Sequence, residues 1–181
     1  ATAIEGATNS TYETTLADAG RYLRVVVTGT DDYVGTVDAQ TTSATAVPYV
    51  IVTEATQECL VNALAVVDAG GTVYFADYLA GETITLTGNE ITLVKDVTID
   101  AENLNITLDA NDASRIFYIS SKINVVLNGL TLTGGYAELR AGNSENRGAI
   151  FNRYATLTIT NSTITGNNSY YGAGVFNCHG D

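Results

Sequence analysis

Beyond Gly70 the chain is written in very short runs in which aliphatic and polar residues alternate. Thr83-Ile84-Thr85-Leu86-Thr87, Ile91-Thr92-Leu93, Val97-Thr98-Ile99, Ile106-Thr107-Leu108, Val125-Val126-Leu127, Thr131-Leu132-Thr133 and Thr156-Leu157-Thr158-Ile159-Thr160 place aliphatics on one face and mostly Thr on the other. A period of two is that of a strand with one buried face. The runs are short for a β-sandwich, and tight hairpin turns do not separate them. The pattern also repeats: 125–135 (VVLNGLTLTGG) returns as 157–167 (LTITNSTITGN), a period of 32, and 148–152 (GAIFN) returns as 172–177 (GAGVFN), a period of about 25. The longer period holds a polar stretch, 136–147, that reads as a looped-out insertion. Coils of twenty-odd residues with three short strands each, stacked about 4.8 Å apart, satisfy this pattern as a parallel β-helix.

Ahead of that region the spacing changes. Leu60, Ala63, Leu64 and Val67 recur at three- and four-residue intervals, Thr56 is placed to cap the N-terminus, Glu58 lies in the first turn, and Gly70-Gly71 ends the run. This predicts one amphipathic helix over 56–69, placed as a lid on the first coil. Residues 1–48 have a different grammar: β-rich runs 22–28 and 33–37 flank a turn signal at Gly29-Thr30-Asp31-Asp32, and Pro48, the only proline, closes the segment. The expected division is 1–48 and 49–181.

Composition narrows the partners. Eight basic against 20 acidic residues give a net charge of -12, which repels phosphate backbones and anionic lipid head groups. No nucleic acid partner and no direct membrane insertion are expected, since no apolar run approaches the roughly 18 residues of a span. The absence of Met suggests a processed product or an excerpt of a longer reading frame, with the last coil cut short at Asp181. Cys59 and Cys178 are too few for a disulfide framework and read as thiols.

With these motifs in view, 56–177 resembles bacterial and archaeal surface proteins with pectin-lyase-like right-handed β-helices, related in pattern to polymorphic outer-membrane-protein repeats and adhesin-like proteins. The resemblance rests on 68–75 (DAGGTVYF), 91–100 (ITLVKDVTID), Ser114-Arg115-Ile116-Phe117, and the coil starts GAIFN and GAGVFN. Residues 1–48 resemble the second half of a bacterial immunoglobulin-like repeat. There Asp18-x-Gly20-x-Tyr22 is similar to a tyrosine corner, and Arg24 stands where antibody domains carry Cys. The resemblance implies an all-β chain, a right-handed parallel β-helix with an N-terminal capping helix preceded by a partial Ig-like β-sandwich. It also implies a secreted or cell-surface location and a non-catalytic adhesin-like or scaffolding role, with glycans or a host or neighbouring cell surface as partners. The alternative is a polysaccharide lyase or glycoside hydrolase of the same fold, which needs carboxylates converging on one outer face with a basic residue in reach.

The candidate residues follow. Tyr136, Glu138, Arg140 and Asn143 in the insertion, with the pair Tyr170-Tyr171, form the expected ligand-binding set, because tyrosine rings stack on sugars. Asp109, Asn111 and Asp112 are hard-oxygen donors for Ca²⁺, or a polar turn. Asp96, Asp100, Asp109 and Asp112, with Lys95 and Arg115 nearby, are the local supply for an acidic-polysaccharide site; no catalytic residue is assigned. His179, the only histidine, reads as a turn residue. Asn152 and Asn177 fall at equivalent coil positions and suggest an internal asparagine ladder. The Thr-x-Thr runs raise a flat water-ordering array, against which the insertion and the unequal coil lengths argue.

Overall fold

A computed structural model describes residues 24–28, 36–40, 46–87, 89–120, 122–136 and 148–180. The chain divides into two units, Ala1–Val47 and Pro48–Asp181. In the first, β1 (Arg24–Thr28) pairs antiparallel with β2 (Thr36–Gln40), with Thr28 opposite Thr36 and Arg24 opposite Gln40. The described second strand thus runs on past the expected end at Val37. The remainder of that segment's expected pattern, including Asp18 to Tyr22, lies outside the described residues.

The second unit is a parallel β-solenoid. It opens with β3 (Tyr49–Val52) and α1 (Gln57–Val66), followed by β4 (Gly71–Phe75), a 3-10 turn at Asp77–Leu79, β5 (Thr83–Thr85) and β6 (Ile91–Leu93). Three further coils follow: β7 (Val97–Asp100), β8 (Ile106–Asp109) and β9 (Phe117–Ser120); β10 (Asn124–Asn128), β11 (Leu130–Thr133) and β12 (Ile150–Arg153); β13 (Thr156–Thr160), β14 (Thr163–Ile164) and β15 (Val175–Cys178). Each coil contributes one strand to each of three sheets. The first sheet has the order β3-β4-β7-β10-β13, the second β5-β8-β11-β14 and the third β6-β9-β12-β15, all parallel. Alternation sends every second side chain inward, where like residues stack in columns such as Val73–Ile99–Leu127 and Ile84–Leu108–Leu132. These residues are almost wholly excluded from solvent and form one continuous core.

The helix forms where the three- and four-residue spacing placed it, ending at Val66 rather than Ala69. Thr56 accepts a hydrogen bond from the Cys59 N–H, and Leu60, Ala63 and Leu64 face the core. Val67 leaves the helical conformation with ψ 140, and Gly70 at φ 83 takes the left-handed turn that leads into β4.

Outward columns are equally regular. Thr83, Thr107, Thr131 and Thr163 stand in register on the second sheet. The insertion, expected to disturb such an array, falls between β11 and β12 and leaves this sheet's pairing intact. Hydrogen-bonded neighbours separated by it lie 32 residues apart, against 28 and 25 elsewhere. On the first sheet Asp100 accepts from Asn128 Nδ2 at 2.7 Å, and Asn128 Oδ1 accepts from Thr160 Oγ1 at 2.9 Å.

Candidate functional site

The corner that follows the second sheet gathers most of the described candidate residues. On the second coil it is 109–114, on the third 134–136 and on the fourth 165–171, and backbone hydrogen bonds lace these turns together. The Asp112 N–H donates to the Gly134 carbonyl, the Tyr136 N–H to the Ser114 carbonyl, and the Asn168 N–H to the Gly135 carbonyl. Tyr136 and Asn168 also form a parallel bridge, which sets Tyr136 one coil away from the segment leading to Tyr170-Tyr171. Residues remote in sequence thus share one edge of the solenoid.

Local chemistry fixes each turn. Asp109 Oδ1 accepts from the Asn111 N–H at 2.8 Å, an Asx turn that lets Asn111 and Asp112 take φ 51 and φ 52. Asn167 Oδ1 accepts from the Gly135 N–H at 2.7 Å, while its Nδ2 donates to the Leu132 and Thr165 carbonyls. Ser169 Oγ donates to the Tyr171 carbonyl and accepts from the Tyr171 N–H. The two rings meet edge to face at 4.7 Å, with Tyr170 69% exposed. A T-shaped, solvent-facing tyrosine pair offers both a ring face and a hydroxyl to a sugar.

Asp109, Asn111 and Asp112 supply two carboxylates and one amide, one of them engaged in its own turn. That is short of the six to eight oxygens a closed Ca²⁺ site needs, and no group of three His, Cys, Asp or Glu suited to a metal occurs among the described residues. The wider carboxylate supply is dispersed. Asp96 accepts from the Asn124 backbone and side chain where β7 and β10 begin, and Asp100 accepts from the Glu102 N–H and Asn128. Lys95 donates to the Ala65 and Val67 carbonyls at the C-terminal end of α1. Glu138, Arg140 and Asn143 lie outside the described residues.

Next to the corner is a feature that sequence reasoning missed. On the outer face of the third sheet Tyr118 and Phe151 meet tilted at 5.3 Å and Phe151 and Phe176 edge to face at 6.0 Å, and the Arg115 guanidinium lies over the first two rings while forming a two-point ion pair with Glu90. Phe151 is 1% exposed although it points away from the core. Arg153 lies over Tyr154, whose ring stacks on His179 at 5.2 Å. A hydrogen bond with Tyr118, and then its charge interaction, raise the Arg153 pKa. The signal was in the sequence: an aromatic residue recurs one position after the first inward residue in three of this sheet's four strands, as Tyr118, Phe151 and Phe176, with Thr92 in the same place on β6. A search for aliphatic alternation passes over it. No family model matches the chain, and neither the curated proteins nor the solved structures give a match.

Proposed function

We propose that the chain is a non-catalytic, adhesin-like or scaffolding segment of a secreted or cell-surface prokaryotic protein, with glycans or host-surface ligands as partners. The observation that carries this reading is the corner itself. The third and fourth coils set the half-buried Tyr136 and the exposed Tyr170 and Tyr171 beside polar turns on one edge of the solenoid, where rings and amides suit stacking on sugar and hydrogen bonding to hydroxyls. A solenoid of this kind offers a continuous lateral surface.

Within this reading the unit is a pectin-lyase-like β-helix of right hand, the hand that parallel connections overwhelmingly adopt. Residues 1–48 are part of an Ig-like module, a reading supported by the β1–β2 hairpin. The helix α1 acts as the lid. Its Leu60, Ala63 and Leu64 join the core, its Gln57 bonds across to the first coil, and Lys95, which follows β6, donates back to the carbonyls at its C-terminal end. The test is a glycan array probed with the full chain and with Tyr136→Ala and Tyr170→Ala/Tyr171→Ala. Binding that falls at least tenfold in these variants, with unchanged thermal stability, is the expected result. An array without signal, or signal indifferent to the tyrosines, overturns the proposal.

A further inference from the structure

The outer faces of the three sheets carry different side chains. On the first sheet the outward columns are Tyr49–Thr72–Thr98–Val126–Thr158 and Ile51–Tyr74–Asp100–Asn128–Thr160. On the third they are Thr92–Tyr118–Phe151–Phe176 and Ser120–Arg153–Cys178. On the second they are Thr83–Thr107–Thr131–Thr163 and Thr85–Asp109–Thr133. Thr165, whose N–H donates to the Leu132 carbonyl, continues the latter column on the fourth coil. Seven of these eight positions on the second sheet are Thr.

Strand propensity does not account for this uniformity. Thr is a favourable solvent-face residue on any strand, yet the outward positions of the other two sheets carry Tyr, Phe, Ile, Val, Asp, Asn and Arg as well. Internal bonding does not account for it either. None of the seven hydroxyls has a hydrogen-bond partner among the described residues, whereas Thr160 on the first sheet donates to Asn128. The eighth position, Asp109, turns its Oδ1 back to the Asn111 N–H of its own turn. Seven uncharged positions in a chain of net charge -12 suit a neutral partner and offer nothing to an ion.

The spacing of the array is that of a lattice. Parallel strands paired without offset repeat at about 4.8 Å along the axis, and alternate residues of one strand repeat at about 6.6 Å. Thr is stiff at χ1, so each position presents its methyl and hydroxyl in few orientations. The 136–147 insertion lies in the corner between β11 and β12, and the pairing of this sheet passes from β5 to β14 without a break. Fixed hydroxyls, each both donor and acceptor, can hold a layer of waters whose spacing the protein sets. The two repeats lie close to the oxygen repeats along the a and c axes of hexagonal ice, so a layer held on this grid matches a crystal plane better than it matches the liquid.

We propose that the outer face of the second sheet binds the surface of ice, with the seven threonines holding the first ordered layer of water. This use of the molecule is independent of the glycan reading, because it involves none of Tyr136, Tyr170 and Tyr171.

The test is to grow a seeded ice crystal slowly in a dilute solution of the full chain and to compare protein in the ice with protein left in the liquid. The chain is expected in the ice at about fivefold or more the level of a non-binding reference protein, because many weak contacts engage one crystal face together. Thr107→Tyr/Thr131→Tyr, at the centre of the array, is expected to bring that level down to the reference. Tyr is as favourable as Thr in a strand, and circular dichroism checks that the variant is folded. Thr83→Lys/Thr85→Lys, on the first strand of the sheet, is a second variant expected to lower the enrichment by about half or more, since it removes part of the same grid. Thr98→Tyr/Thr158→Tyr on the first sheet is expected to leave it unchanged. A parent chain excluded from ice overturns the proposal, and so does enrichment that survives both second-sheet variants or that the first-sheet pair removes equally. Retention on microcrystalline cellulose or chitin without enrichment in ice also overturns it, because the ordered solid is then a polysaccharide.

Discussion

Two glycines show how differently one residue type can be constrained. At Gly129 the φ is 72, and an added Cβ would stand 2.1 Å from the Glu102 carbonyl oxygen of the previous coil. Gly70 has φ 83 with nothing within 4 Å of the same position. Left-handed backbone costs an L-residue about 1–2 kcal/mol, and overpacking against backbone adds about 1–3 kcal/mol. Gly129→Ala is therefore expected to lose about 2–5 kcal/mol and Gly70→Ala only about 1–2 kcal/mol, compared by urea denaturation. Asn152 is a second case. It is 1% exposed, its Nδ2 has two acceptors, and its Oδ1 is buried without a partner beside a column whose preceding member is Ile119. Asn152→Ala strips a donor from the Ala155 carbonyl and from Asn177 Oδ1, and a loss of about 2–3 kcal/mol is expected in the same assay.

Among the elements, α1 is held at both ends by polar side chains rather than by packing alone. Gln57 serves the Thr87 N–H and hydroxyl and the Asn89 carbonyl, and Lys95 serves two carbonyls at the helix C-terminus. Gln57→Ala is expected to speed exchange of the Thr87 amide at least tenfold and to cost about 1–2 kcal/mol, since a strand-edge N–H loses its acceptor. The helix and the strands were legible because both periods are local: Leu60, Ala63 and Leu64 signal one, and Ile84, Ile99 and Leu108 the other. The Asn152–Asn177 stack was legible too, because the repeat aligned the two residues. The meeting of Tyr136 with Asn168 was not, because it depends on how many residues each turn takes, and only the folded register sets that. Arg115 over Tyr118 and Phe151 escaped for a related reason: it is an outer-face contact between coils, and alternation of aliphatics carries no information about it.

For the whole molecule, stacking in one dimension makes stability depend on position along the axis. Ile99 is wholly buried between neighbours on both sides, and Ile159 occupies the same column in the last coil with a neighbour on one side. Ile99→Ala is expected to cost about 3–4 kcal/mol and Ile159→Ala about 1 kcal/mol, because the second leaves less of a cavity and restores less water-shielded surface. Unfolding at rising denaturant, followed by exchange at single amides, is expected to progress from the fourth coil toward the first. The strand-like amide of Gln57 then takes on a meaning in time. A polypeptide emerging N-terminus first has α1 and its Gln57 in place over the Thr87–Asn89 segment before any later coil exists. The expected order of assembly then follows the order of emergence, which pulsed hydrogen exchange during refolding checks: amides of β4 to β6 gain protection before those of β13 to β15.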